Sequence, residues 1–477
     1  MGSLAIRLGS RAVRNTIVVL VARIVSRLVA LVMVVVLARH LGPTGYGQYT
    51  TMVAYSAIVS VLADFGLDSL YTRETARAPA EQPRYLATML VGKLPLAALS
   101  VVVFGVALST ANLGSLVLPG AALLCLSTYS TLLRNTFYAA GRLEFEAVAI
   151  LCETAIQAAA IVGGAHFGLG VAFFVAGYAA SYGFTTVYCL VVIPLFRLGS
   201  VRHPIDRRLL WRWLKLAFPF ALGSFLTNVY WKADVPILQH FRPFAEVGWY
   251  QFAYKPFEAL QFVPLAVQAV VYPLLAVAHQ EAPERVRTLY ARFFKVLLLL
   301  GWPLTVGTFL LADPVGRVFR LYPQSVPSLR ILSLAIVFLF VNSAFTAMLY
   351  AIDRQQWFAG VTAIAVVVNV GLNLLLIPRF GYLAASATTV VTEAAFSVAG
   401  CWFVARRYPL AWPRLSWRVV VAGLVMAIVL VPLRQRSIFL GAPIGGVVYL
   451  VALLLLRAVD RDELRLLWRG LRPGAAA

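Results

Sequence analysis

Arg23 and Arg27 stand one helical turn apart near the middle of an otherwise apolar run. In a helix both guanidinium groups leave from one face at neighbouring depths. Two forks of fixed donors at that spacing suit a diphosphate, whose oxygens accept bidentate hydrogen bonds. Four more cations lie inside apolar stretches: Lys93, Arg134, Lys232 and Lys255. Each costs about 2.5 to 3.5 kcal/mol at the centre of a bilayer even on a lenient insertion scale, so each is expected to face protein interior or a watery cavity. Acids accompany them, namely Asp64, Asp68, Glu153, Asp234, Glu258 and Glu393.

Competing readings are local. Arg23 and Arg27 could pair with acids on other helices or snorkel to the surface, although Arg27 is around twelve residues from the end of its run, far for snorkelling. Lys232 and Lys255 fall at similar depth and suggest a second cationic level. Asp234, roughly 200° round the helix from Lys232, would point elsewhere. Glu258, three residues after Lys255, could neutralise it in place, and Arg134 or Lys93 could pair with Glu153. The expected binding set is Arg23, Arg27, Lys232, Lys255 and Arg134. Asp64, Asp234, Glu258 and Glu393 are candidates for coupling to a proton or sodium ion. Tyr230, Trp231, Trp249, Tyr250, Tyr254 and Phe257 gather beside Lys232 and Lys255; an interfacial belt or packing explains them, and a stacking face for sugar rings is the alternative.

The elements that must position these groups are membrane helices. Of 477 residues 61% are hydrophobic and 13% charged, outside the range of a water-soluble globular chain. Spanning about 30 Å of hydrocarbon takes about 20 apolar residues in a helix. Such stretches recur at 15–38, 47–69, 86–109, 118–140, 147–166, 170–195, 216–239, 247–272, 293–312, 328–351, 357–377, 382–404, 417–433 and 438–456, about fourteen in all. With the N-terminus inside, and with Lys295, Arg330 and Arg418 at the ends of their stretches counted with the adjoining loops, 27 of the 41 basic residues fall on inner segments, 8 on outer loops and 6 in spans. That bias predicts cytoplasmic termini in an inner (cytoplasmic) membrane. It also accounts for the net charge of +22 without nucleic acid.

The chain repeats itself. LARHLGPTGYGQY (Leu37 to Tyr49) and LQHFRPFAEVGWY (Leu238 to Tyr250) keep Leu and Gly-x-Tyr in register at an offset of 201. Tyr138-Ala-Ala-Gly-Arg matches Tyr350-Ala-Ile-Asp-Arg at 212, and His166-Phe-Gly matches Arg379-Phe-Gly at 213. Three matching loops in one order predict two six-helix halves related by a pseudo-twofold axis, with a substrate site between them. The expected division is an N-terminal lobe at 1–196, a basic cytoplasmic linker at 197–215, a C-terminal lobe at 216–406, and a helix pair with a tail at 407–477. Pro219, Pro236, Pro256, Pro264 and Pro273 predict bends in the seventh and eighth spans.

Short motifs carry a family resemblance: Leu37-Ala38-Arg39, Leu41-Gly42-Pro43, Tyr46-Gly47-x-Tyr49, Asp64-Phe65-Gly66, Thr72-Arg73-Glu74, Gly141-Arg142, Asn369-x-x-x-Asn373 and Ile377-Pro378-x-Phe380-Gly381. The chain resembles the polysaccharide-transporter branch of the multidrug, oligosaccharidyl-lipid and polysaccharide exporter superfamily. The resemblance implies a V-shaped, two-lobed flippase that moves a polyprenyl-diphosphate-linked glycan to the outer leaflet by alternating access, in contact with membrane lipids and other polysaccharide assembly proteins. Lipid II flippases of similar architecture place first-span arginines in a central cavity; Arg23 and Arg27 match, and Lys255 matches a basic position on span 8. No central basic residue stands on span 2, which makes a polysaccharide repeat unit the better expected cargo. The helix pair 13 and 14 would take the prenyl tail.

A multidrug cation antiporter of the same fold would need an acidic cavity, against the excess of basic residues in spans. A membrane-embedded glycan polymerase would need a larger outer loop than the one around Asp313 to Pro327. No catalytic motif or phosphate-binding loop stands out. Cys125, Cys152, Cys189 and Cys401 lack metal-ligand spacing, so neither a metal nor another cofactor is expected.

Overall fold

Apolar runs without polar alternation have one solution in lipid, the helix, because it satisfies its own backbone hydrogen bonds. The computed structural model describes residues 2–200, 203–409 and 412–458, and among them it contains helices and connecting turns. In chain order the helices are α1 (Gly2–Asp64), α2 (Leu67–Arg77), α3 (Gln82–Thr110), α4 (Val117–Ala139), α5 (Leu143–His166) and α6 (Val171–Leu195). There follow α7 (Arg207–Lys232), α8 (Asp234–Phe241), α9 (Phe244–Leu260), α10 (Phe262–Glu281), α11 (Pro283–Leu310) and α12 (Ala312–Val318). The last are α13 (Ser325–Ser333), α14 (Ala335–Ala351), α15 (Gln355–Ala405), α16 (Trp412–Leu430) and α17 (Ile438–Leu455). The tail expected beyond 458, residues 201–202 of the expected linker and residues 410–411 at the start of the expected helix pair lie outside the described residues.

Among the described residues eleven helices are long and apolar enough to cross a membrane, or twelve if the bent pair α13 and α14 is one span. The expected fourteen is reached only by dividing two of them. Val18–Asp64 has 47 residues, about 70 Å of helix against a core of about 30 Å, and breaks at Gly42 (φ 67°). The 50-residue Gln356–Ala405 breaks at Gly381 (φ 59°). The proline-rich spans are also interrupted, since α7 gives way to α8 at Ala233 and α9 to α10 at Gln261.

Packing divides the chain into two compact units: residues up to Gln251 together with Ile377–Gly381, and Phe252–Leu376 with the residues from Tyr382 on. These units follow contact, whereas the sequence halves follow repetition, so α7 belongs to the first unit although it opens the second repeat. In the first unit Leu67, Tyr71, Met89, Leu133, Phe137 and Trp213 form one buried cluster, and Met52, Phe104, Leu108, Leu124 and Val175 another. At the start of α7, Asp206 accepts from the Leu209 N–H at 2.9 Å and pairs with Arg84 at 2.5 Å. Those bonds hold its carboxyl below the usual carboxylate range.

The repeat is written in the backbone. Left-handed residues recur in order: Asn112 and Arg320, Gly141 and Asp353, Gly168 and Gly381. The first loops of the two repeats also touch each other. A Cβ on Gly47 would lie 1.9 Å from the Phe244 carbonyl oxygen, and one on Gly248 would lie 2.0 Å from the Pro43 carbonyl oxygen. Phe244 is the repeat partner of Pro43, and Gly248 of Gly47, so the contact is reciprocal, as a twofold axis requires. Each of these loops is also tied to the last loop of its own repeat. His40 Nε2 meets the Leu169 carbonyl at 2.9 Å, and Arg242 donates to the carbonyls of Ile377 and Pro378 at 3.3 and 3.0 Å.

Candidate functional site

Val19 and Ala22 of α1 pack on Ala147 and Ile150 of α5, and Ser26 Oγ meets Thr154 Oγ1 at 2.7 Å. That seam puts Arg23 and Arg27 at its edge. Arg23 donates to the Tyr138 hydroxyl at 2.5 Å and lies 3.9 Å from Glu146, with 54% of its side chain exposed. Arg27 is exposed and, among the described residues, forms no ion pair.

Beneath Arg23 is a buried relay. Tyr138 donates to Glu146 at 2.9 Å. Glu146, 1% exposed, receives Arg134 through Nε at 2.9 Å and Nη2 at 2.6 Å, a bidentate pair. Arg134 Nη1 donates to Glu153 at 3.1 Å, and Thr185 of α6 donates to the same carboxylate at 3.2 Å. Three guanidinium groups thus stand against two carboxylates. Arg134 spends its donors inside the protein, whereas Arg23 is held by one edge and Arg27 is open, so the arrangement can offer one oriented and one open cation to an anion.

Lys93 is enclosed rather than open. Its Nζ lies 2.6 Å from Asp68 and 2.9 Å from Asp64, and its side chain is fully buried. Asp64 also accepts the N–H groups of Gly66 and Asp68, both at 3.1 Å. Asp64 is therefore a junction between α1, α2 and α3. Asp234 is buried and receives the Tyr250 hydroxyl; Lys232, also in the first unit, acts on it electrostatically.

In the second unit Lys255 pairs with Glu258 at 2.7 Å. Glu393 is buried and accepts from Asn342 Nδ2 at 2.7 Å, and Ser397 donates to Asn342 Oδ1 at 2.6 Å. Of the aromatic set, Tyr250, Tyr254 and Phe257 are buried and pack inside the protein. Among the described residues no group of three or more His, Cys, Asp or Glu is placed to hold a metal ion.

The sequence reading thus brought Arg23 and Arg134 into one list, and the structure joins them through two residues that reading did not place there, Glu146 and Tyr138. The signal for Glu146 was its spacing: seven residues before Glu153, it falls on the same helix face.

The family described as Polysaccharide biosynthesis protein matches residues 12–279, more than half the chain, and the family described as Lipid II flippase MurJ matches residues 257–445. A solved structure of lipid II flippase MurJ in an inward closed conformation superposes with a TM-score of 0.76 at 15% identity, covering 92% of this chain and 99% of the other. An inward-facing multidrug resistance MATE family transporter of the MOP superfamily gives 0.63 at 14%, covering 80% and 94%. A MOP superfamily transporter from Pyrococcus furiosus, described as having a binding pocket of reverse polarity, gives 0.56 at 14%, covering 86% and 96%. No curated protein matches by sequence. The fold is thus the all-helical membrane fold shared by MurJ and MATE proteins.

Proposed function

Because the chain belongs to the polysaccharide biosynthesis protein family of the exporter superfamily, whose members are flippases and transporters rather than enzymes, we propose that it moves a polyprenyl-diphosphate-linked oligosaccharide from the inner to the outer leaflet by alternating access. The observation that carries this reading is the pair of guanidinium groups on α1. Arg27 is open, Arg23 is half committed, and a relay beneath them leaves one positive charge in excess. The excess favours a diphosphate and disfavours the cationic cargo of a multidrug antiporter. Arg134 acts as support for Arg23. Lys232, in the same unit, is assigned to the glycan or its second phosphate.

The basic-residue bias supports cytoplasmic termini in the inner membrane. Coupling to a proton or sodium ion is assigned to Asp234 and Glu393, each buried and hydrogen-bonded to a neutral donor, Tyr250 and Asn342 respectively.

The test is delivery of a labelled polyprenyl-diphosphate oligosaccharide across proteoliposomes. Charge-assisted hydrogen bonds are worth about 1.5 to 3 kcal/mol each, so Arg23→Gln or Arg27→Gln should lower transport at least about tenfold. The Arg23→Glu, Arg27→Glu double variant should abolish it while the protein stays inserted; wild-type delivery by that variant would falsify the proposal. The match of residues 257–445 to the MurJ family favours one second reading, lipid II as cargo. The same vesicles offered lipid II decide between them by which cargo moves faster.

A further inference from the structure

Residues Trp211, Lys215, Phe218, Leu222 and Phe225 follow one another on α7 at spacings of four and three, and so form a single stripe. The stripe is exposed along its length: Trp211 is 68% exposed, Phe218 56%, Leu222 48% and Phe225 46%. Its apolar end walls a cavity of about 380 Å³ in the first unit. The opposite walls include Ile58, Leu62 and Phe65, and every lining residue is apolar. Phe65 takes a left-handed backbone (φ 49°) immediately after Asp64, which turns its ring towards Phe218, centroid to centroid 6.4 Å.

A dry apolar hollow in a membrane-spanning segment is filled by hydrocarbon, because water gains no partners there. The other end of the stripe says which hydrocarbon. Arg207, Arg208, Arg212 and Lys215 are exposed in the first turns of α7 and, among the described residues, form no ion pair. The nearest acid in the chain, Asp206, is already paired with Arg84. Trp211 lies among these cations, ahead of the apolar part of the stripe, the place of a residue at the membrane surface.

We propose that this face of the first unit is a binding site for a resident anionic phospholipid. Its headgroup phosphate sits on Arg212 and Lys215, and one acyl chain lies in the cavity between α1, α3 and α7. A cation patch fixed where the helix enters the membrane holds a headgroup at constant depth. That suits a lipid that stays, whereas a cargo lipid must carry its phosphate across. The assignment is independent of the transport role given to Arg23 and Arg27.

The experiment uses the full-length protein in detergent and native mass spectrometry with added phosphatidylglycerol, phosphatidylcholine or polyprenyl phosphate. Wild type should retain phosphatidylglycerol over phosphatidylcholine at least fivefold. R212Q/K215Q, altered only at exposed positions, should lose that preference, and Ile58→Trp, which fills the cavity, should lower retention of phosphatidylglycerol as much. Equal retention of the two phospholipids, or an unchanged preference in R212Q/K215Q, overturns the site. Displacement of phosphatidylglycerol by equimolar polyprenyl phosphate overturns the choice of occupant. Should Ile58→Trp fail to fold, the headgroup variant alone decides.

Discussion

Each buried charge here is matched to its partners, and that matching makes single changes expensive. Lys93→Met leaves Asp64 and Asp68 facing each other without their ammonium group, and stranded buried charges of this kind cost about 3 to 5 kcal/mol. We expect Lys93→Met to unfold at markedly lower temperature in detergent, and Lys93→Met with Asp64→Asn and Asp68→Leu to recover most of the loss. Tyr138→Phe tests the relay differently. It removes the hydroxyl joining Arg23 to Glu146, which costs about 1 kcal/mol of stability, while transport should fall severalfold because Arg23 loses its orientation. The charges themselves were legible in the sequence, since a cation in an apolar run needs an explanation. Their pairing was not. Lys93 finds Asp64 and Asp68 rather than Glu153 because pairing depends on which helix faces meet, and Glu146 escaped notice because the fifth span was expected to begin one residue after it, whereas α5 begins at Leu143.

Among elements, the breaks are as specified as the helices. Gly66 is left-handed (φ 75°), and a Cβ there would lie 2.6 Å from the Ala217 carbonyl oxygen of α7. Both the backbone strain and the close approach penalise a side chain, so Gly66→Ala should destabilise the protein by about 1 to 3 kcal/mol, read as a drop in melting temperature. Gly141→Ala, left-handed with nothing within 4 Å of the added Cβ, carries only the strain and should cost less. Helix content and most boundaries could be read from apolar run length, because the membrane fixes how long a run must be. The motif Asp64-Phe65-Gly66 was visible as a resemblance, but its work as a cap, a lysine anchor and a wall of the lipid cavity needs three helices that are distant in sequence.

For the whole molecule, repetition was legible as three weak loop matches, and the backbone supplies further evidence in the ordered left-handed positions. Asp353 occupying the place of Gly141 shows why the sequence signal is faint: the conformation persists while the residue changes, and Asp tolerates that region better than most. What repetition alone left unseen is that the two first loops meet. Gly47 and Gly248 each admit a backbone carbonyl of the other loop, so neither contact can loosen while the other stays shut. The two behave as one cooperative clasp. Gly47→Ala and Gly248→Ala should therefore impair transport equally, and combining them should add little, because the first methyl group has already sprung both halves. A double-mutant cycle on transport rate measures this, and full additivity would mean that the two fastenings open separately.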